Sequence, residues 1–136
     1  MKEIGVKFPL IKDITMGVAK KDGIIQSGEN NTKAVRAVFV IDPKGIISTI
    51  IYYPLSLGRN FDELHRVLIA LQTADAFSIA TPADWRPGDP VIVPPAGSCG
   101  TAKNRMEGKK YMKCYDWFFC TKELSKEKVM EAIKKS

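Results

Sequence analysis

The side chains best placed to do chemistry are Cys99, Cys114 and Cys120, the arginines Arg36 and Arg59, and the single histidine, His65. A thiolate is a nucleophile, and a nearby cation lowers a thiol pKa from its usual value of about 8.5. Lys113 and Lys122 stand next to the Cys114–Cys120 segment, so an exposed thiol there would be reactive. Five residues separate these two cysteines. In a helix they would lie about a turn and a half apart on different faces, and the sulfurs would not join without local unwinding. The other reading keeps them as small buried hydrophobes among the aromatic residues of Tyr111–Cys120. Arg36 interrupts the apolar run Ala34–Phe39. A guanidinium cannot be buried there unpaired. Either it faces water at a strand end, or it points into a pocket and binds an anion or carboxylate. Arg59 precedes a predicted helix and serves the same pocket if hairpin and helix converge. His65 falls mid-helix with nothing beside it to mark a base, which reads as a surface or rim position.

Other chemistries find no support. Neither GxGxxG nor GxxxxGK[ST] occurs, so no phosphate-cradling loop is expected. The spacing of the cysteines, with no paired histidine, does not suit a zinc site, and no metal or cofactor is expected. The odd count of three cysteines is not a secreted disulfide framework. The net charge of +6 hints at a polyanion, but the lysines are scattered among acids. That pattern reads as a solvated surface, and no nucleic-acid partner is expected. No stretch reaches the roughly 18 apolar residues of a membrane span. No signal-peptide pattern opens the chain, so the expected location is cytoplasmic, without a membrane partner.

The elements that must position these residues can be read in order. Phe8–Ile11 is expected as a short strand. Thr15–Lys21 is expected as a short helix ended by Gly23, with a loop over Gln26–Asn31. Ala34–Ile41 and Ile46–Tyr53 are β-rich runs around Asp42-Pro43-Lys44-Gly45, the residue order of a type I turn. They predict an antiparallel hairpin whose first strand is buried on both faces. Residues 60–77 predict a helix capped by Asn60, with Phe61, Leu64, Val67, Leu68 and Leu71 on one face. Residues 78–98 carry five of the eight prolines. They must be extended, yet Trp85 and Val91–Val93 need a surface, so an arm lying across another surface, such as a partner subunit, is expected. A short helix is expected over 101–111. Ser125 should cap a last amphipathic helix carrying Val129, Met130 and Ile133.

Taken together these strings resemble the peroxiredoxins, in their 1-Cys and archaeal branch. Val35–Gly45 resembles the strand that carries the family's arginine. Tyr52-Tyr53-Pro54 with Gly58–Glu63 resembles the segment that follows. Leu71–Asp75, Thr81–Trp85 and Val93-Pro94-Pro95 resemble the 1-Cys branch, and Cys114–Cys120 resembles the archaeal cysteine pair. The resemblance implies an α/β, thioredoxin-like fold, truncated, with a β-hairpin, a helix and an extended C-terminal arm. It implies residues 1–77 as the C-terminal half of that domain, and 78–136 as an oligomerisation arm carrying the resolving cysteine. Arg36 would bind peroxide and stabilise the attacking thiolate, with Arg59 in support. Cys120 would be the resolving cysteine and Cys114 its secondary neighbour, while Cys99 has no implied role.

The family's peroxidatic cysteine stands in a Pro-x-x-x-Thr-x-x-Cys stretch, and none of the cysteines here has that context. The resemblance therefore implies a thiol peroxidase acting on hydrogen peroxide and alkyl hydroperoxides, with this chain inactive alone. Its implied partners are a thiol reductant such as a thioredoxin-like protein, and either further copies of the chain or a complementing N-terminal half. Missing central strands should leave apolar surface that such a partner covers. The alternative is a non-catalytic oligomerisation or binding module.

Overall fold

The computed structural model describes residues 5, 7–25, 35–107 and 112–135. The loop expected over Gln26–Asn31, and the expected element ends at Ala34 and Tyr111, lie outside the described residues. The chain divides into two compact units, Met1–Arg59 and Asn60–Ser136.

The first unit holds α1 (Gly17–Lys21), β1 (Arg36–Ile41) and β2 (Ile47–Tyr53). The Asp13 carboxylate accepts from the backbone N–H groups of Val18 and Ala19, at 3.3 and 2.8 Å. These are donors that the first helical turn leaves without an intrahelical partner. Gly23 follows at φ 67°, ending the helix as expected. Strands β1 and β2 pair antiparallel, with Arg36 opposite Tyr53 and a bulge between Val40 and Ile41. Their turn is built by Asp42. Its carboxylate accepts from Lys44 N–H at 2.9 Å and Ile46 N–H at 2.8 Å, and its carbonyl accepts from Gly45 N–H at 2.9 Å. Gly45 has φ 82°, which only a residue without Cβ adopts cheaply.

Two expectations for this unit fail. β1 is half-buried, not buried on both faces, because its sheet has two strands and a ribbon covers little of itself. Phe8–Ile11 is not a strand. Phe8, Leu10 and Ile11 are exposed, and Pro9 lacks the N–H a ladder needs.

The second unit begins with α2 (Phe61–Phe77). Asn60 caps it as expected, its side-chain oxygen accepting from Asp62 N–H at 3.1 Å and Glu63 N–H at 3.2 Å. The most buried positions of the helix lie off that apolar stripe. Ala70 and Thr73 are buried, with Ile69, Ala74 and Phe77 beside the core, while Phe61 is 72% and Leu68 45% exposed. The helix is apolar on two sides, and on the stripe Leu64, Val67 and Leu71 are half-buried.

Within its own unit the proline-rich segment packs back on the helices. Ala80 and Ile92 exchange backbone hydrogen bonds at 2.9 and 2.8 Å, and β3 (Val91–Val93) pairs with β5 (Phe119–Lys122). Trp85 is 1% exposed in the core formed with Ala70, Ile79, Val91, Leu124 and Val129, and its indole N–H reaches the Asp89 carbonyl at 3.1 Å. A large indole with its donor satisfied is a strong reason for an otherwise irregular chain to fold back. After α3 (Cys99–Met106), β4 (Lys113–Asp116) completes an antiparallel sheet of order β3-β5-β4. Ser125 accepts from Lys128 N–H at 3.4 Å and opens α4 (Lys126–Lys135), whose Val129 is fully buried. No helix among the described residues is long and apolar enough to cross a membrane.

Candidate functional site

Arg36 opens β1, and its guanidinium meets a backbone carbonyl at that strand end, not an anion or a carboxylate. An N–H of that group donates to the Leu57 carbonyl at 2.8 Å, and the side chain is half-buried. Leu57 sits at the end of a turn closed by its own N–H to the Pro54 carbonyl at 3.0 Å. The strand arginine thus pins the loop that follows β2. Arg59 lies two residues beyond Leu57 on that loop and is exposed. The sequence joins the two arginines only by analogy, whereas the fold ties one of them to the loop carrying the other.

The cysteines Cys114 and Cys120 lie on β4 and β5, a hairpin turned by Trp117 and Phe118. The segment is extended, not helical. In an extended ladder, residues directly opposite each other have close Cβ atoms. Cys114 faces Cys120 across the ladder with Cα atoms 4.0 Å apart, and the two sulfurs form a disulfide. A bulge makes this possible. Asp116 pairs with Phe119, so regular alternation would put Tyr115 opposite Cys120; the register shift between Cys114 and Asp116 lets Cys114 take that place. Cys120, on the central strand, is 1% exposed, and Cys114, on the edge strand, is half-buried.

Aromatic side chains surround the hairpin. Tyr115 and Phe119 stack at 5.3 Å, Trp117 and Phe118 meet edge-on at 5.5 Å, and Lys113 Nζ lies 4.8 Å over the Tyr115 ring. Trp117, Phe118 and Tyr115 remain more than half exposed. A cleft of about 550 Å³ runs beside the strands, lined by Pro90, Met112, Lys113, Tyr115, Thr121 and Lys122.

Cys99 is a free, exposed thiol at the start of α3 and takes no part in this pairing. His65 is exposed on α2 at the rim of a second cleft of about 430 Å³, together with Arg66, Arg86 and Lys126. Sequence reasoning missed an ion pair here. Arg66 grips Glu63 with two bonds of 2.7 Å each. The Arg66 hydrogen bond holds the Glu63 carboxyl below its ordinary range and raises Arg66 in turn. The i, i+3 spacing on a helix was the signal for it.

With this geometry in hand, comparison with solved structures defines the class. A yeast mitochondrial 1-Cys peroxiredoxin superposes with TM-score 0.73 at 34% identity, covering 90% of this chain and 59% of that one. Peroxiredoxin 6 of Arenicola marina superposes with TM-score 0.67 at 32% identity, covering 84% and 55%. The fold is the thioredoxin-like α/β fold of these proteins, represented by part of it. Residues 70–109 match the family model for the C-terminal domain of 1-Cys peroxiredoxin. A peroxiredoxin of Methanosarcina mazei is 50% identical over 127 residues, 90% of this chain and 57% of the relative. Peroxiredoxin 2 of Caldanaerobacter subterraneus is 45% identical over 121 residues, 89% of this chain and 55% of the relative. The chain belongs to the peroxiredoxin family. It spans a little more than half the length of the relatives it matches.

Proposed function

We propose that this chain is the C-terminal part of a thiol-dependent peroxidase that reduces hydrogen peroxide and alkyl hydroperoxides. The observation that carries this reading is Arg36. Its guanidinium is held on β1 by the Leu57 carbonyl, next to a loop bearing a second arginine, in a chain half identical to a peroxiredoxin. A fixed cation lowers the pKa of a facing thiol and stabilises charge developing on a peroxide oxygen. In this proposal residues 1–77 complete the thioredoxin-like domain and residues 78–136 form its extension.

The peroxidatic thiol comes from outside this sequence, which holds no Pro-x-x-x-Thr-x-x-Cys stretch. Cys120 acts as the resolving cysteine. Its thiolate attacks the sulfenic acid formed on a partner, a disulfide forms, and water leaves. Cys114, bonded to Cys120 in this structure, is the secondary cysteine that exchanges with it. A thiol reductant restores the dithiol. The solved yeast relative is described as resolved through glutathione and thioredoxin systems, which supports that class of reductant here. Homo-oligomeric assembly and a cytoplasmic location belong to the same proposal.

The test is peroxide consumption with a thiol reductant. The chain alone should show negligible turnover. Turnover should appear when the N-terminal half of a relative, carrying the peroxidatic motif, is supplied. Turnover by this chain alone would overturn the assignment of its cysteines.

A second reading is favoured by the exposed aromatic turn at Trp117 and Phe118. It makes the chain a non-catalytic binding module derived from a peroxiredoxin. Tight association with the N-terminal half, without any peroxidase activity, would select it.

A further inference from the structure

The disulfide of the β4–β5 hairpin is asymmetric, and the asymmetry dictates how it can be reduced. Thiol–disulfide exchange needs a thiolate that approaches along the S–S axis, from the side opposite the leaving sulfur. The sheet order is β3-β5-β4, so Cys120 stands on the central strand and Cys114 on the edge strand. Val93 on β3 pairs directly with Cys120. A nucleophile aimed at Cys120 Sγ would have to come through β3, where Val93 is 8% and Cys120 itself 1% exposed. A nucleophile aimed at Cys114 Sγ comes from the outer side of β4, at a half-buried residue.

We infer that an external thiol reduces this disulfide only at Cys114, so that Cys114 carries the mixed disulfide and Cys120 is released as the free thiol. The inference rests on the proposed thiol-reduced role of the hairpin and names the residue its reductant meets. The reductant thiolate forms a new S–S bond to Cys114 Sγ. The Cys114–Cys120 bond breaks, and its electron pair leaves on Cys120 Sγ, which takes a proton from solvent. The sulfur of Cys120 lies 3.7 Å from the Asp116 carbonyl, so the protonated thiol has an acceptor at hand. A second reductant thiol attacks the mixed disulfide, frees Cys114 and leaves as the oxidised reductant. The sum is one protein disulfide and two thiols converted to one protein dithiol and one external disulfide. Cys114 is thereby the residue that faces the reductant, and Cys120 the leaving group.

The experiment uses the oxidised full chain carrying Cys99→Ser, which removes the exposed free thiol from the count. Limiting glutathione is added, the reaction is quenched with acid within seconds, and the unreduced protein is mapped by fragment-ion mass spectrometry. The glutathione adduct is expected on Cys114 over Cys120 by about tenfold or more. In the reduced chain, iodoacetamide should label Cys114 faster than Cys120 by a similar factor of about ten. Equal adducts, or an excess on Cys120, would overturn the inference. So would an oxidised chain with no Cys114–Cys120 bond. Peroxide consumption by the complemented chain reads the peroxidase proposal separately, because the adduct map needs no peroxidatic thiol.

Discussion

The Arg36 guanidinium donates to the Leu57 carbonyl at 2.8 Å, joining the first residue of β1 to the loop that leaves β2. One bond therefore sets the position of the strand arginine and of the backbone two residues before Arg59. Arginine suits this task because its planar group binds in a fixed direction.

Removing that group should hurt chemistry more than folding. In the chain complemented by an N-terminal half, Arg36→Met is expected to lower peroxidase turnover by roughly 10²-fold or more. Arg36→Lys keeps the charge but loses the planar fork, and should recover only a small part of it. Arg59→Met, at an exposed position, should cost less than Arg36→Met. Peroxide consumption checks the order, and circular dichroism of each variant checks the fold. Wild-type turnover in Arg36→Met would remove the arginine from the proposed site.

The Glu63–Arg66 pair gives a prediction in pH. The carboxyl of Glu63 is held below its ordinary value, chiefly by the hydrogen bond from Arg66. A carboxylate whose folded pKa is depressed stabilises the fold above its unfolded pKa, and that contribution is lost as pH falls through the folded value. The difference in melting temperature between the native chain and Glu63→Gln should be small but positive at neutral pH, as for an exposed pair. It should shrink as the pH drops below about 4. A difference that grows in acid would mean that the pair is not what holds the proton off.

How much of this could be read from the sequence depends on whether local chemistry or tertiary packing decided each element. The Asp42–Gly45 turn, the Asn60 cap and the Ser125 cap were legible because each is a bond between a side chain and backbone a few residues away. The buried face of α2 was not. Ile69, Ala70, Thr73 and Phe77 compete with a bulkier stripe on the other side, and only the position of Trp85 decides between them. The β4–β5 hairpin was hidden because Trp117 and Phe118 carry no Asn-Gly or Asp-Gly signal. Neither has a positive φ, so the bulge at Tyr115, not a glycine turn, absorbs the mismatch. The pairing of Arg36 with Leu57 links residues 21 apart and leaves no local trace.

Trp85 should be the most costly single residue to truncate. It is 1% exposed, shares its core with residues of α2 and α4, and its indole N–H is bonded to the Asp89 carbonyl. Trp85→Ala is expected to cost about 3–5 kcal/mol, enough to abolish cooperative unfolding in a unit of this size. Trp85→Phe should cost less, since it refills most of the volume and loses only the hydrogen bond. Urea unfolding followed by Trp117 fluorescence measures both. A Trp85→Ala chain that unfolds at the native urea midpoint would place the core elsewhere.

Surface composition makes the last prediction. Phe61 and Leu68 on the outer side of α2 are 72% and 45% exposed, and in the other unit Ile46, Ile47 and Ile50 are 59%, 51% and 43% exposed. Apolar area of this extent on a small chain is usually covered by another surface. The chain should therefore associate, either with copies of itself or with an N-terminal half. Size-exclusion chromatography with light scattering should show a species larger than the 15.1 kDa monomer. Phe61→Gln with Leu68→Gln should shift that species toward monomer. The helix should remain folded, because neither side chain belongs to the core around Trp85. If the native chain instead runs as a soluble, cooperatively folded monomer, the exposed faces need no partner and the assembly proposal fails with them.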